Sequence, residues 1–302
     1  MYDIVIIGAG CAGMTAAVYA QRAGKKSLIL EKETFGGQIS FSPCVENFPS
    51  IKKISGNEFS DQLFEQATSL GSDAELENVL EITNDGDFKI VKTDYNTYKC
   101  KAVIIATGVL HRHLGLPFED DFIGAGISFC AVCDGAFYKN KTVAVVGGGN
   151  TALQDAIYLS DFCKKVYLIH RRDSFRGEQH LVDVISKKDN IALVLDSVVT
   201  SLCGENALDG IDVQNVKTNA TSHLDIDGLF VAIGQIPNNS AFSSIVNLDE
   251  QGFIIADETC KTNTSGIFVA GDCRTKEVRQ LTTAAADGAT SAIAACKYID
   301  SL

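Results

Sequence analysis

The sequence of 302 residues is poor in positive charge, with 26 lysines and arginines against 38 aspartates and glutamates. The formal net charge is −12 at pH 7. This argues against nucleic acids and anionic membranes as general partners, because both select for clustered basic residues. Any anionic ligand must therefore meet a local basic patch.

Long apolar runs are also missing. No apolar stretch reaches the length of a membrane-spanning helix. Met1 leads straight into an apolar strand pattern, without a basic segment followed by a cleavable apolar one. We therefore expect a cytoplasmic protein without membrane association. Because 46 % of the residues are hydrophobic, the chain can fill two cores of ordinary domain size.

The ten cysteines lack the spacing of a secreted disulfide framework. Most lie in apolar or helical stretches, such as those around Cys163 and Cys296, and are expected to be buried, inert thiols. Cys130 and Cys133 are the exception, three positions apart in CAVCDG. No second C-x-x-C or H-x-x-x-H occurs to complete a zinc site, so we expect no metal there.

A glycine-rich motif near the N-terminus predicts a dinucleotide site. YDIVIIGAGCAG begins as a short apolar strand and turns into an alanine-rich helix, and a second apolar run ends at Glu31. Gly8, Gly10 and Gly13 occupy the G-x-G-x-x-G positions, which allow a tight turn, close approach of a pyrophosphate and close helix packing. The helix N-terminus faces the phosphates, and Glu31 is placed to bind a ribose diol.

The same pattern returns in KTVAVVGGGNTALQDAIYLSDFCKKVYLIHRRDSFR. Gly147, Gly149 and Ala152 now take the fingerprint positions, so this segment is an internal repeat of the first. Asn150 and Thr151 stand between them, at the predicted start of the helix. The sequence therefore predicts a second nucleotide site.

The two repeats differ where the adenosine ribose binds. Glu31 follows the first glycine of its motif by 23 positions, and His170 does the same in the second repeat. Beyond His170 come three arginines: Arg171, Arg172 and Arg176. Arginines bind phosphate bidentately, so the second repeat suits the 2′-phosphate of NADPH, unless these residues are only a solvated basic cluster. The first is expected to hold FAD, because two pyridine nucleotides would leave no obvious electron acceptor.

Two further apolar strands close these nucleotide-binding halves. KAVIIATG ends at Gly108, and DGLFVAIGQIPN repeats the pattern later in the chain. In GIFVAGDC, Asp272 follows another buried strand and is placed to bind ribityl or phosphate oxygens of a flavin. The alanine-rich RQLTTAAADGATSAIAACKYI predicts a long C-terminal helix.

The fold class expected from these elements is α/β, with two Rossmann-like domains of the three-layer ββα type, the second inserted into the first. The simplest division assigns residues 1–114 and 243–302 to a discontinuous FAD-binding domain. Residues 115–242 then form the NADPH-binding domain that carries the cysteine pair. Pro117 and Pro237 mark the expected hinges.

The pair Cys130 and Cys133 has four interpretations: a static disulfide, half of a zinc site, two buried thiols, or a redox pair. We favour the redox pair, because cysteines three apart at the start of a helix can close a small reversible disulfide, and the helix terminus lowers a thiol pKa. Asp134 follows directly, and a carboxyl group beside a nascent thiolate is a suitable proton donor or acceptor. Electrons would then pass from nicotinamide to flavin, to the disulfide and to an outside partner.

Over nearly its full length the chain resembles the low-molecular-weight, bacterial-type thioredoxin reductases, class II of the pyridine nucleotide-disulfide oxidoreductases. The matching motifs, in order, are GAGCAG, GGQI with VENFP, ATG, CAVCDG, GGGNTA, HRRDSFR and GIFVAGDCR. The resemblance implies an NADPH-dependent thioredoxin-disulfide reductase that is a homodimer. It also implies thioredoxin or a thioredoxin-like protein as partner, and a domain rotation that presents NADPH and the disulfide alternately to FAD.

The resemblance also implies roles for residues. Cys133 would lie nearest the flavin, Cys130 would exchange with the partner disulfide, and Asp134 would be the acid-base residue. The residues along the flavin would be Gly36, Gly37, Gln38 and Asn47, with Asp272 at the ribityl chain and Arg279 and Gln280 near the ring. NADPH would be bound by Gly147, Gly149, Asn150, Thr151, Ala152, His170, Arg171, Arg172 and Arg176.

Three positions depart from the common family pattern. Ala136 stands where many relatives carry a second aromatic on the partner-docking surface, Ser50 stands where glycine is usual, and Gly177 where alanine is frequent. Other functions also stay open: a ferredoxin-type electron donor, an oxidase of small dithiols, a peroxiredoxin partner, or a non-enzymatic NADPH-binding protein. The cysteine pair argues against a ferredoxin-NADP reductase, which lacks it.

Overall fold

The computed structural model describes all 302 residues, which divide into two compact units. Met1–Leu110 and Ile236–Leu302 form the first unit, and His111–Gln235 form the second. The chain passes between them through two short segments that pair as a two-stranded sheet. Both passages lie within a few residues of the boundaries expected after residues 114 and 242.

The strands are β1 (Tyr2–Ile7), β2 (Ser27–Glu31), β3 (Asp73–Leu76), β4 (Val79–Asp85), β5 (Phe88–Thr93), β6 (Thr97–Ile105), β7 (Val109–His111), β8 (Ile127–Ser128), β9 (Thr142–Val146), β10 (Lys165–Ile169), β11 (Ile191–Val194), β12 (Ser197–Cys203), β13 (Gly210–Asn215), β14 (Thr221–Asp225), β15 (Gly228–Val231), β16 (Gln235–Pro237) and β17 (Ile267–Val269). The α-helices are α1 (Cys11–Arg22), α2 (Gly56–Ser69), α3 (Ala131–Asp134), α4 (Asn150–Ser160), α5 (Gln179–Ile185) and α6 (Leu281–Asp300). Short 3₁₀ turns include Gly37–Phe41 and Gly271–Cys273.

The first unit is built on a seven-stranded sheet. Its strand order is β3-β2-β1-β6-β5-β4, with β17 also paired to β6. The pairs β1–β2, β1–β6 and β6–β17 are parallel. Along β1, Ile4 and Ile6 enter one core with α1 and α6, whereas Val5 and Ile7 enter the core on the other face. This alternation is why β1 is a continuous apolar run, since both faces of a parallel sheet are buried.

The second unit has three layers. A parallel sheet of order β11-β10-β9-β15-β8 lies between helices and an antiparallel sheet of order β12-β13-β14. Val143 and Val145 of β9 pack with α4 in one core. Ala144 of the same strand packs in the other core with Ile211 and Val213 of β13. The predicted fold class, with two Rossmann-like units of which the second is inserted, is confirmed.

The long C-terminal helix is also confirmed. It begins after Gln280, whose side chain and that of Thr283 form a capping box, and it packs against α1. At the contact, a β-carbon on Gly288 would lie 2.2 Å from the carbonyl oxygen of Ala12. No helix in the structure combines the length and apolar character needed to cross a bilayer.

Replacing Gly288 by alanine should destabilise the first unit. The new methyl group would meet a backbone oxygen, so an overpacking cost of up to about 3 kcal/mol should outweigh the gain of about 1 kcal/mol in helix propensity. The free energy of unfolding from urea titration measures the net loss. Thr290→Ala in the same helix gains propensity without adding an atom and serves as the control; equal stability of the two variants would refute the steric argument.

Candidate active site

The first glycine loop joins β1 to α1 and leaves one glycine open. Gly8 has φ of +106°, and a β-carbon there would lie 2.3 Å from the carbonyl oxygen of Ala106. A β-carbon on Gly13 would lie 1.9 Å from the carbonyl oxygen of Gly8. Gly10, just before α1, has only the carbonyl oxygen of Gly36 near that position, at 4.0 Å. Gly8 and Gly13 therefore serve packing, whereas Gly10 leaves the backbone at the helix N-terminus open, where an anion is favoured.

Glu31 ends β2 and points its carboxylate at this loop. One oxygen accepts a hydrogen bond from the backbone N–H of Ala9 at 2.8 Å, and the other accepts from the N–H groups of Lys32 and Glu33. These bonds fix the carboxylate beside the loop and leave acceptor capacity for a ribose hydroxyl. The side chain therefore lies beside the first glycine loop.

The segment Gly36–Gln38 also approaches the glycine loop. The N–H of Gly36 donates to the carbonyl oxygen of Ala9 at 2.9 Å. A β-carbon on Gly37 would lie 3.2 Å from the Cα of Gly10. Gln38 is exposed in the 3₁₀ turn that follows. This part of the predicted flavin site therefore lies against the loop.

Asp272 has an unsatisfied buried oxygen. Its Oδ1 is buried without a hydrogen-bond partner in the protein. Burial raises the pKa of this carboxyl to about 6, while Lys276 and Arg279 act in the opposite direction. A buried acceptor without a donor is costly, so this position fits a ligand hydroxyl such as those of a ribityl chain.

The other residues predicted to bind the flavin are Arg279, Asn47, Gln280 and Gly108, and each has its own local surroundings. The guanidinium of Arg279 donates to the carbonyl oxygen of Asp272 at 3.2 Å and lies 4.3 Å from the ring centroid of Phe253. Asn47 donates to the side-chain oxygen of Gln280 at 3.3 Å, which places this pair at the start of α6. Gly108 has φ of +64° and nothing near its missing side chain.

A buried ion pair that sequence reasoning missed fixes this region. Arg274 is 1 % exposed and binds both carboxylate oxygens of Asp287 in α6, each at 2.9 Å. Asp287 also accepts from the N–H of Gly271 and from Lys276. Burial alone would raise the pKa of Asp287, but the bonds from Arg274 and Lys276 lower it. No local pattern in the sequence indicates this pair.

The second glycine loop repeats the geometry of the first. A β-carbon on Gly147, where φ is +154°, would lie 2.4 Å from the carbonyl oxygen of Ala232 and 2.6 Å from the methyl group of Ala152. Gly149 precedes α4 and has nothing within 4 Å of its missing side chain. Gly149 therefore corresponds to Gly10. In both repeats, the first glycine of the motif packs against a backbone carbonyl and the second stays open.

His170 lies against this loop. A β-carbon on Gly148 would lie 2.1 Å from the Cε1 atom of His170, whose ring stacks on Phe175 at 5.5 Å between centroids. Burial lowers the pKa of His170, and the nearby arginines lower it further. Its Nε2 is buried without a partner. The neutral imidazole therefore leaves a polar atom for a ligand at the position that Glu31 takes in the first unit.

The three arginines after His170 act electrostatically on its imidazole and have no partners of their own. Arg176 is tied to it through its backbone N–H, which donates to the carbonyl oxygen of Gly148 at 2.8 Å. The side chains without an ion pair or hydrogen bond in the protein are those of Arg171, Arg172 and Arg176, all of which are exposed. By contrast, Lys217 in the same unit binds Asp173 and Asp196. Unpaired guanidinium groups beside a glycine loop suit a phosphate.

Asn150 and Thr151 stand in the first turn of α4, where both are exposed. Asn150 is bound to Glu178 twice, because its oxygen accepts from the backbone N–H and its nitrogen donates to the carboxylate, at 2.8 and 2.9 Å. Thr151 makes no hydrogen bond through its side chain. The predicted nucleotide residues of the second unit therefore lie around one loop.

Cys130 and Cys133 form a disulfide with a Cα–Cα distance of 5.3 Å, as predicted. Cys130 is the N-cap of α3, a single turn, and its sulfur accepts a hydrogen bond from the N–H of Cys133 at 3.2 Å. Cys133 is exposed and Cys130 half-buried. Beside them, Val132 and Phe137 leave 55 % and 39 % of their surface exposed, so an apolar surface lies next to the disulfide.

Asp134 is held next to the disulfide by Ser128, a residue that sequence reasoning missed. The hydroxyl of Ser128 donates to Asp134 at 2.6 Å and accepts from the backbone N–H of Cys130 at 3.1 Å. Burial raises the pKa of Asp134, and the hydrogen bond from Ser128 opposes that rise. The carboxyl group is thus suited to hold a proton near the sulfur atoms.

The other eight cysteines are not in disulfides, and six of them are buried. The prediction of mostly buried thiols is confirmed. Cys130 and Cys133 are therefore the candidate residues for a redox function within the chain.

Two nucleotide-binding units, one of them carrying a C-x-x-C disulfide, define a class of pyridine-nucleotide enzymes. The profile of the family described as pyridine nucleotide-disulphide oxidoreductase matches residues 2–288, and the chain belongs to this family.

Individual relatives narrow the class further. A "34.2 kDa protein in rubredoxin operon" of Clostridium pasteurianum is 43 % identical over 298 residues, covering 98 % of this chain and 97 % of that protein. The thioredoxin reductase of Listeria innocua is 40 % identical over 307 residues, covering 100 % and 95 % of the two chains. The crystal structure of thioredoxin reductase from Streptococcus pyogenes has a TM-score of 0.96 and 39 % identity, covering 100 % and 99 %.

Asp272 should make the stability of the ligand-free protein depend on pH. Because its pKa rises from an ordinary 3.8 to about 6 on folding, its contribution is fully present below about pH 4 and is lost as the pH rises to about 6. Asp272→Asn removes the charge, so it should raise the thermal midpoint relative to wild type at pH 8 but not at pH 4.

Asp257→Asn is the control, and its effect on stability at pH 8 should have the opposite sign. Hydrogen bonds from Thr259 lower the pKa of Asp257, so this substitution should lose stability at pH 8. If Asp272→Asn has the same thermal midpoint as wild type at both pH values, the carboxylate of Asp272 is not the unsatisfied group described above.

Proposed function

We propose that this protein is an NADPH-dependent flavoprotein that reduces the disulfide of thioredoxin or a thioredoxin-like protein. The observation that carries the proposal is the surface disulfide Cys130–Cys133 in the same unit as a glycine loop with three unpaired arginines. Relatives named thioredoxin reductase, about 40 % identical over the whole chain, support it.

Each nucleotide site has a feature that fits its proposed cofactor. In the first unit, Glu31 offers a carboxylate to an unphosphorylated ribose, and the buried oxygen of Asp272 fits a ribityl hydroxyl of FAD. In the second unit, the buried nitrogen of His170 and the three arginines fit the 2′-phosphate of NADPH. FAD supplies a two-electron carrier between nicotinamide and disulfide.

The chain's own residues handle the sulfur chemistry. Two electrons break the Cys130–Cys133 bond, and the sulfur atoms then take up protons, one of which Asp134 is placed to hold. The N–H of Cys133 stabilises a thiolate on Cys130, which supports attack by Cys130 on the partner disulfide. Cys133 then displaces the partner as a dithiol, restoring the internal disulfide.

The proposal includes a homodimer in a reducing cytoplasm. Eight cysteines outside disulfides are compatible with such a compartment, and sedimentation of the purified protein measures the oligomer. A ferredoxin-type donor and a peroxiredoxin partner, the other possibilities raised by the sequence, are not favoured, because the arginine cluster would have no use and two of the three relatives cited above are named thioredoxin reductases.

The double variant Arg171→Gln with Arg172→Gln should lose the preference for NADPH. Each charge-assisted bond to the 2′-phosphate contributes about 1.5 to 3 kcal/mol, so the KM for NADPH should rise roughly 10- to 100-fold or more. The KM for NADH, which has no such phosphate, should hardly change. Steady-state rates of thioredoxin reduction, measured against nucleotide concentration, give both values.

Lys217→Gln is the matched control, because this cation is already paired with Asp173 and Asp196. It should leave both KM values at the wild-type level. An equal rise in the KM values for NADPH and NADH in the double arginine variant would show that the arginine cluster does not recognise the 2′-phosphate.

Replacing Cys133 by serine should separate the two half-reactions. Flavin bleaching by NADPH should persist, since the nucleotide sites are intact, whereas thioredoxin-coupled disulfide reduction should fall to background. Cys44→Ser, at a half-buried cysteine of the first unit, should keep both activities. If Cys133→Ser also loses bleaching, the proposed electron path is wrong.

A further inference from the structure

The antiparallel sheet of the second unit brings together three side chains that the reductase reaction does not use. Asp212 of β13 lies directly opposite His223 of β14. Cys203 of β12 lies opposite Gly210 of β13. Because Gly210 and Asp212 are two residues apart on one strand, their cross-strand neighbours share one face of the sheet.

Gly210 leaves room for the imidazole on that face. A β-carbon there would lie 2.7 Å from both the Cε1 and Nε2 atoms of His223, so the ring covers the glycine and reaches toward Cys203. A ring nitrogen of His223, the sulfur of Cys203 and a carboxylate oxygen of Asp212 all lie within 4.8 Å of one another. Side chains from three different strands therefore converge.

The surroundings of this cluster are acidic. Nδ1 of His223 is 2.8 Å from Asp212, and its Nε2 is 3.4 Å from Asp225. Asp209 adds a third carboxylate that acts electrostatically on the imidazole. His223 and Asp225 also line a cavity of about 510 Å³, which gives a hydrated cation a path to the ring.

We propose that Cys203, Asp212 and His223 bind a divalent transition-metal ion of the zinc class. Thiolate, imidazole and carboxylate together form a donor set that zinc accepts and that calcium and magnesium do not favour. Two ligand atoms on a tetrahedral zinc lie about 3.3 to 3.8 Å apart, so ligand atoms within 4.8 Å of one another need to close by about 1.5 Å at most. Asp225 or water fills the fourth position.

The site goes beyond the proposed reductase activity and does not depend on it. Its ligands are 9 and 11 positions apart in the sequence, so they form no short metal-binding motif. Bound metal would link three strands, and would stabilise the second unit because it binds the folded sheet only.

The test is equilibrium dialysis of the oxidised holoenzyme against Zn²⁺, followed by metal analysis. The Cys130–Cys133 disulfide must stay closed, so that its thiols bind no metal. Wild type should retain one zinc per chain, and Cys203→Ser and His223→Gln should each weaken binding at least tenfold. Far-ultraviolet circular dichroism, measured on every sample, shows that the variants are folded.

His113→Gln is the matched control. Like His223, His113 is about half exposed and bonded to a carboxylate, with Nδ1 3.1 Å from Asp120. This variant should bind zinc as wild type does. Retention of zinc by Cys203→Ser, equal loss in His113→Gln, or no stoichiometric binding by wild type would each overturn the proposal.

Cobalt gives a geometric readout. Co²⁺ in a tetrahedral thiolate site has intense d–d bands at longer wavelength than oxidised flavin absorbs, so they can be read in the holoenzyme. The bands should appear in wild type and in His113→Gln, and should be lost in Cys203→Ser. Weak bands typical of six-coordinate Co²⁺ would refute the tetrahedral site.

Discussion

The buried ion pair between Arg274 and Asp287 is the interaction on which the flavin side of the first unit depends. It anchors the segment after β17 to α6, and that segment carries Asp272 and Arg279. Breaking such a pair by removing one partner typically costs about 3 to 5 kcal/mol, because the other charge stays buried. Asp272 can therefore keep an unsatisfied oxygen, since its backbone is held by bonds that do not involve its own side chain.

The internal repeat shows how one scaffold can serve two nucleotides. Both loops use a positive-φ glycine pressed against a backbone carbonyl, and both leave a later glycine open at the helix N-terminus. What differs is the residue at the end of the second strand of each repeat. Glu31 is a carboxylate fixed by three backbone N–H groups, whereas His170 is neutral and surrounded by arginines. Selectivity therefore lies in side chains, while the backbone supplies the phosphate site.

Local patterns in the sequence predicted the strands, the glycine loops, the long helix and the disulfide, because each depends on residues close together in the chain. Three features had no such signal. The Arg274–Asp287 pair, the Ser128–Asp134 bond and the Cys203–Asp212–His223 cluster depend on side-chain positions that only the folded chain defines.

The buried cysteines bear on chemical selectivity. Burial raises the pKa of Cys11, Cys100 and Cys260 to about 12, so at neutral pH their thiolate fraction is on the order of 10⁻⁵. A protein that handles disulfides would otherwise risk scrambling with its own thiols. In this protein, burial in the hydrophobic core keeps these thiols out of disulfide exchange. Reducing equivalents then leave the molecule through the surface pair Cys130 and Cys133.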